Sequence, residues 1–186
     1  HTDCEINTFP WTEDFEGFDA DCWQNEHITG SGTYNFEVIS GTNGSNSTQQ
    51  LCLPDMPDGT KTKFRLPVMS LPGSNYMFTL DVYRNNEYDD KTAEGVRVFA
   101  SADGNIQGAT ELAFIPRVRS VSNSVIPAES ADGWYTYKLR IPMSGTCYII
   151  LQGESKNGSA TYMDNFALKE APPVLTVSNI TKDGIA

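Results

Sequence analysis

Ala160-Thr161-Tyr162-Met163-Asp164-Asn165-Phe166-Ala167-Leu168-Lys169 is the stretch whose reading decides the fold. It reads as a β-strand near the end of the domain. Strand side chains repeat every two residues, so Tyr162, Asp164, Phe166 and Leu168 share one face. Three of the four are apolar, and that face is expected to meet a core. A carboxylate there is costly unless something pairs with it. A bound cation would do so; so would backbone N–H donors at a strand end.

Working outward, the same period appears repeatedly. Tyr76, Phe78, Leu80 and Val82 alternate through residues 76–84, and Tyr135, Tyr137, Leu139 and Ile141 through 134–141. Further strands are expected over 33–39, 51–53, 62–68, 95–100 (as partner of 76–84 across the polar turn 85–91) and 112–118. The near-continuous apolar run 147–151 suits a central strand. No segment longer than about ten residues carries a 3.6-residue period, so helices are expected to be few and short. Strands separated by Gly, Pro and Asn turns predict an all-β antiparallel sandwich, a jelly roll, over residues 1–170. Glu170-Ala171-Pro172-Pro173 reads as a linker, and 171–186 as that linker plus the start of a following module or a tail.

With 186 residues the chain can bury one substantial core. A net charge of −11 argues against nucleic-acid binding through phosphate neutralisation. No apolar run approaches the roughly 20 residues that span a bilayer as a helix, which argues against membrane insertion. No leader is visible and the chain opens on His1, so it reads as a processed fragment. Cys4, Cys22, Cys52 and Cys147 form no CxxC pair and allow three pairings. His1 and His27 are not spaced for zinc. An even cysteine count in a Tyr-, Asn-, Ser- and Gly-rich β chain leans towards an oxidising compartment.

Two groups of residues carry the functional reading. Glu13, Asp14, Glu16, Asp19 and Asp21 place five carboxylates in nine residues with no Lys or Arg among them. Oxygen ligands of this kind suit calcium better than magnesium, because the larger ion accepts a flexible site. Trp23, Trp134 and Tyr88, with Trp11, Tyr34 and Tyr148, are flat amphipathic rings able to stack on sugars or to fill a core. Arg84 opens the polar turn with Asn85, Asn86, Tyr88 and Asp90, a candidate ligand edge. Glycoside hydrolysis would need two carboxylates across a cleft. The pool Asp81, Glu87, Asp89, Asp90 and Glu94 lies around one turn without such a pattern, and His27 has no nucleophile partner.

The order of these features resembles a known family. Asp14-Phe15-Glu16 followed by an acidic stretch closing on Trp23 resembles the opening of MAM domains and of the cleaved-adhesin domains of bacterial surface proteases. Phe64-Arg65-Leu66-Pro67-Val68, residues 76–84, Glu94 to Ser101, Trp134 to Arg140, Tyr148 to Gln152 and Tyr162-Met163-Asp164-Asn165-Phe166 continue the cleaved-adhesin series. The resemblance spans about residues 12–169. It implies a concanavalin-like jelly roll and a non-catalytic adhesive or carbohydrate-binding role in a secreted bacterial protein, at the cell surface or outside the cell. Its expected partners are a glycan or a host or matrix protein, and neighbouring domains of the same chain. A spacer role in a multi-domain surface protein is the alternative, and a hydrolase or lyase on the same fold a lesser one. The resemblance also implies structural calcium held by Glu16 and Asp164, with Asp14, Asp19 and Asp21 nearby. Cys4 and Cys22 resemble the first cysteine pair of MAM domains, which leaves Cys52 with Cys147.

Overall fold

The computed structural model describes residues 4–45 and 47–172. Twelve strands run in chain order: β1 (Trp11–Glu13), β2 (Gln24–Thr29), β3 (Glu37–Ser40), β4 (Gln49–Leu53), β5 (Lys61–Arg65), β6 (Met69–Leu71), β7 (Tyr76–Arg84), β8 (Gly95–Ser101), β9 (Thr110–Pro116), β10 (Gly133–Ile141), β11 (Gly145–Glu154) and β12 (Thr161–Glu170). No helix occurs among the described residues. The strands form two sheets of six. The first runs β10-β7-β12-β4-β3 with β1 added to β12; the second runs β2-β5-β11-β8-β9 with β6 added to β11. All these pairings are antiparallel. The fold is a jelly-roll sandwich.

Alternation explains the core. Phe78, Leu80 and Val82 of β7, Tyr137, Leu139 and Ile141 of β10, and Leu51 and Leu53 of β4 project from the first sheet. Val96, Val98 and Ala100 of β8 and Ile149 and Leu151 of β11 meet them from the second. The first and last strands lie side by side. Trp11 pairs with Leu168 and Glu13 with Phe166, and the Phe15 ring meets Phe166 edge-on at 5.0 Å.

Three expectations are corrected. Residues 95–100 do not pair with 76–84: β7 lies between β10 and β12, while β8 lies between β11 and β9. The turn 85–94 therefore carries the chain from one sheet to the other. The expected strands omit the three-residue β1 and also β2 and β6, which carry too little alternation to be read. Most consequential, β12 does not keep one phase. Its register on β7 shifts between Asp164 and Ala167, where Asn165 takes φ 50°. Asn tolerates this left-handed conformation better than most residues, and the extra residue is a β-bulge. Met163 before the bulge and Phe166 and Leu168 after it all join the core. Asp164 and Tyr162 are thereby turned to the outer face.

Cys4 and Cys22 are joined by a disulfide with Cα atoms 5.8 Å apart. The second expected pair does not form: Cys52 and Cys147 are free and buried. Cys52 is on the first sheet, opposite Tyr162 and outside the core, whereas Cys147 faces the core from the second sheet. Burial pushes the Cys52 thiol up to about 12 and the Cys147 thiol up to about 11. At its C-terminal end the described chain stays docked, because the Ala171 amide donates to the Asn75 carbonyl at 2.8 Å. The following module or tail expected beyond the linker lies outside the described residues.

Candidate functional site

The outer face of the first sheet brings together residues that are far apart in sequence. Trp134 of β10 stands opposite Tyr83 of β7, and Tyr83 stands opposite Tyr162 of β12. The row continues through Cys52 of β4 to Glu37 of β3. The Trp134 and Tyr83 rings are 5.6 Å apart at 60°, and those of Tyr83 and Tyr162 are 6.5 Å apart at 66°. All three rings are half-buried. With strands about 4.8 Å apart, this aromatic row extends about 10 Å across the sheet. The Trp134 Nε1–H donates to the Asn43 carbonyl at 3.0 Å, which ties the ring to the loop over 41–48.

The next row is acidic. Thr136 faces Asp81, and Asp81 faces Asp164. Like charges directly opposite each other on adjacent strands are unfavourable. Asp81 is answered by the Thr136 hydroxyl at 2.5 Å and the Asn165 side-chain amide at 2.9 Å. Asp164 is 1% exposed. Its Oδ1 accepts the Asn165 backbone amide at 2.8 Å, and its Oδ2 is buried without a partner. Burial pushes the Asp164 carboxyl above the usual carboxylate range; hydrogen bonds from Ser47 and Asn165 oppose this, and the Asp81 and Glu16 carboxylates add to the rise. A pocket of about 180 Å³ lies here, lined by Gly44, Ser45, Ser47, Asp81, Trp134, Asp164 and Asn165.

Glu16 meets the same loop. Its carboxylate accepts the Thr48 hydroxyl and, at 2.7 Å, the Gln49 amide. Glu16 thus holds the segment whose Ser47 lines the pocket with Asp164 and with an aspartate, Asp81, that the sequence reading did not place there. The remaining acidic residues do not gather at this seam. Asp14 caps the Glu16 amide at 3.0 Å on an exposed turn. Asp19 and Asp21 line a separate cleft of about 340 Å³ with Glu13, Trp11 and Trp23. Among the described residues no three His, Cys, Asp or Glu side chains converge as a metal site. The donor set around Asp164 is nonetheless all oxygen, and the unpartnered Oδ2 is the kind of atom a hard cation would satisfy.

The other named residues are distributed as follows. Arg84 is corrected from ligand edge to core: it is 0% exposed. Its guanidinium donates to the carbonyls of Pro116, Pro127, Val118 and Val121 and to the Tyr137 hydroxyl. Trp23 belongs to an aromatic cluster, stacked on Phe64 at 5.0 Å and edge-on to Phe18 at 5.0 Å. Tyr88 is 60% exposed. Glu94, one of the acids considered for hydrolysis, is consumed by a buried pair with Arg117 at 2.8 Å.

Neither a protein-family model nor a curated protein matches the chain by sequence. Solved structures do match in fold. The K1 cleaved adhesin domain of Lys-gingipain from Porphyromonas gingivalis W83 superposes with a TM-score of 0.63 at 16% identity, over 89% of this chain and 100% of that one. The K3 domain of the same protein gives 0.60 at 20% identity, over 86% and 96%. TmCBM61, solved in complex with beta-1,4-galactotriose, gives 0.53 at 13% identity, over 84% and 94%. The chain has the cleaved-adhesin type of jelly roll, a fold shared with carbohydrate-binding modules.

Proposed function

We propose that this chain is a non-catalytic adhesion module that binds carbohydrate outside the cell, with the row Trp134–Tyr83–Tyr162 as its sugar platform. The carrying observation is that row: three half-buried rings on adjacent strands of one sheet face, beside a polar pocket. Aromatic faces supply apolar area to a sugar ring at little conformational cost, and the pocket supplies groups for its hydroxyls. Similarity in fold to a module solved with galactotriose supports the same reading.

Calcium belongs to this proposal as a structural ion. Asp164 would offer its unpartnered oxygen, with Asp81 and the hydroxyls of Ser45 and Ser47, which line the same pocket, as further oxygen donors; Glu16 would hold the loop through Thr48 and Gln49 and not the ion. The ion would supply positive charge between like-charged groups and fix the loop that carries the Trp134 contact. Asp14, Asp19 and Asp21 lie outside that set.

Isothermal titration against neutral oligosaccharides and immobilised matrix proteins tests the platform. Trp134→Ala is expected to weaken glycan binding about tenfold or more, equivalent to about 1.4 kcal/mol. Unchanged affinity would remove the row from the site. Absence of binding to every ligand class would leave a spacer between neighbouring domains as the better reading.

A further inference from the structure

The platform is ringed by carboxylates. Glu87 lies in the turn after β7 and accepts from Ser159 just ahead of β12, and Asp132 directly precedes β10; burial, then Asp132 and Glu87, pushes the Tyr83 phenol upward, and burial, then Cys52 and Glu87, that of Tyr162. Asp81 and Asp164 fill the next row, and Glu37 stands beyond Cys52 at the far end. Among the described residues only Asp132 of these five is ion-paired, with Arg119 at 2.7 Å. Glu87 accepts from a neutral donor, the Ser159 hydroxyl, at 3.0 Å. The sandwich is not uniformly acidic. On the outer face of the second sheet, Lys61, Lys63 and Arg65 alternate along β5, and Arg97 projects from β8. On that face the acids are paired, Glu26 with Lys63 and Glu111 and Glu154 with Arg97, whereas four of the five around the platform have no cationic partner among the described residues.

We propose that the platform selects uncharged glycan chains and rejects those bearing uronate or sulfate. This rests on reading the row as a sugar platform. Sugar hydroxyls donate to carboxylates in charge-assisted bonds, which are stronger than neutral ones. An acidic sugar brings like charge against several carboxylates within a Debye length of about 8 Å at physiological salt. Specificity then comes from a repulsive element as much as from an attractive one. A divalent cation on Asp164 would neutralise the Asp81–Asp164 row but leave Glu87, Asp132 and Glu37.

The test is titration of the whole chain with neutral galacto-, xylo- and cello-oligosaccharides and with galacturonate oligosaccharides, at low and high salt. Wild type should bind a neutral series and show no measurable binding of the acidic one. Glu87→Gln with Asp132→Asn should raise acidic binding about tenfold or more, while Glu111→Gln, the same kind of charge change on the opposite face, should not. Glu87→Gln alone replaces the double variant if the latter does not fold. Acidic oligosaccharides binding wild type as tightly as neutral ones would overturn the selectivity and leave the sugar platform standing. An equal gain in Glu111→Gln would also overturn it, by showing that net charge alone decides. No binding of either series, in wild type or variant, would overturn the platform and the selectivity together.

Discussion

Glu94 and Asp164 are each 1% exposed, yet the protein treats them in opposite ways. Glu94 accepts Arg117 Nε at 2.8 Å, the amides of Ser159, Gly158 and Lys156 at 2.8–2.9 Å, and the Ser155 hydroxyl at 3.2 Å. Burial alone would push its carboxyl up, but the combined hydrogen bonds from Ser159, Lys156, Arg117 and Gly158 hold it below the usual range. Asp164 faces another carboxylate across a strand pair and keeps an oxygen unpartnered. Both carboxylates stand at crossings of non-adjacent chain segments. The first site is closed by the chain's own donors and fastens the turn 85–94 to the turn 155–159. The second leaves Oδ2 without a donor from the described chain. Burial of an acidic group therefore does not by itself mark a functional site; the inventory of its partners does.

The largest effect is expected where the inventory is full. Arg117 is 0% exposed and also donates to Asn85 Oδ1 at 2.6 Å and to the Glu87 carbonyl at 2.7 Å. Glu94→Ala would strand a buried guanidinium and several amides. Removing one partner of such a pair costs about 3–5 kcal/mol, read as a lowered denaturation midpoint in urea. A cost below about 1 kcal/mol would mean that water enters and that Glu94 is no more closed than Asp164.

A smaller effect, of opposite logic, is expected at Asp164. If calcium completes the site, excess chelator should lower the melting temperature of wild type. An ion at 100 times its dissociation constant contributes about 2.7 kcal/mol. Asp164→Asn should abolish the response to chelator, and Asp19→Asn, in the separate cleft, should keep it. A wild-type melting curve that ignores chelator would show that Asp164 tolerates its orphan oxygen, and the contrast with Glu94 would reduce to a difference in hydrogen-bond count.

How much of this contrast was legible beforehand follows from periodicity. The strands β7 and β10 were readable because their alternation is strict, and with them the sandwich. The bulge in β12 was not, because Tyr162 and Phe166 look in phase until Asn165 takes a positive φ; an Asp-Asn pair inside a strand is the signal that was available. Arg84 was read with the polar turn, although it continues the core-facing positions Phe78, Leu80 and Val82 at the same spacing. The aromatic row joins residues 83, 134 and 162, which only sheet order brings together. Trp134 and Asp164 were named as candidates and Asp81 only among the acids weighed for hydrolysis, while Tyr83 and Tyr162 were not assigned to a site. A single strand cannot show which residues will face one another across it.

The finest test of the comparison is its dependence on pH, measured with chelator present so that Asp164 is read without an ion. Glu94 is held below its unfolded value, near 4.3, so its stabilising contribution is present above that pH and is lost as pH falls through the folded value. Asp164 is held above its unfolded value, near 3.9, so its contribution is present below that pH and is lost as pH rises through the folded value. Between acid and neutral pH the two terms run in opposite directions. The stability lost in Glu94→Gln relative to wild type should grow as pH rises from about 3 to 7, because wild type gains what the amide cannot. Over the same range Asp164→Asn should gain on wild type, because the amide carries no charge to be penalised. For a chain of this size 1 kcal/mol moves the melting temperature by about 2–4 °C, so both trends are measurable by calorimetry. If both differences moved the same way with pH, the two buried carboxylates would be electrostatically equivalent, and the case for an open site at Asp164 would lose its physical basis.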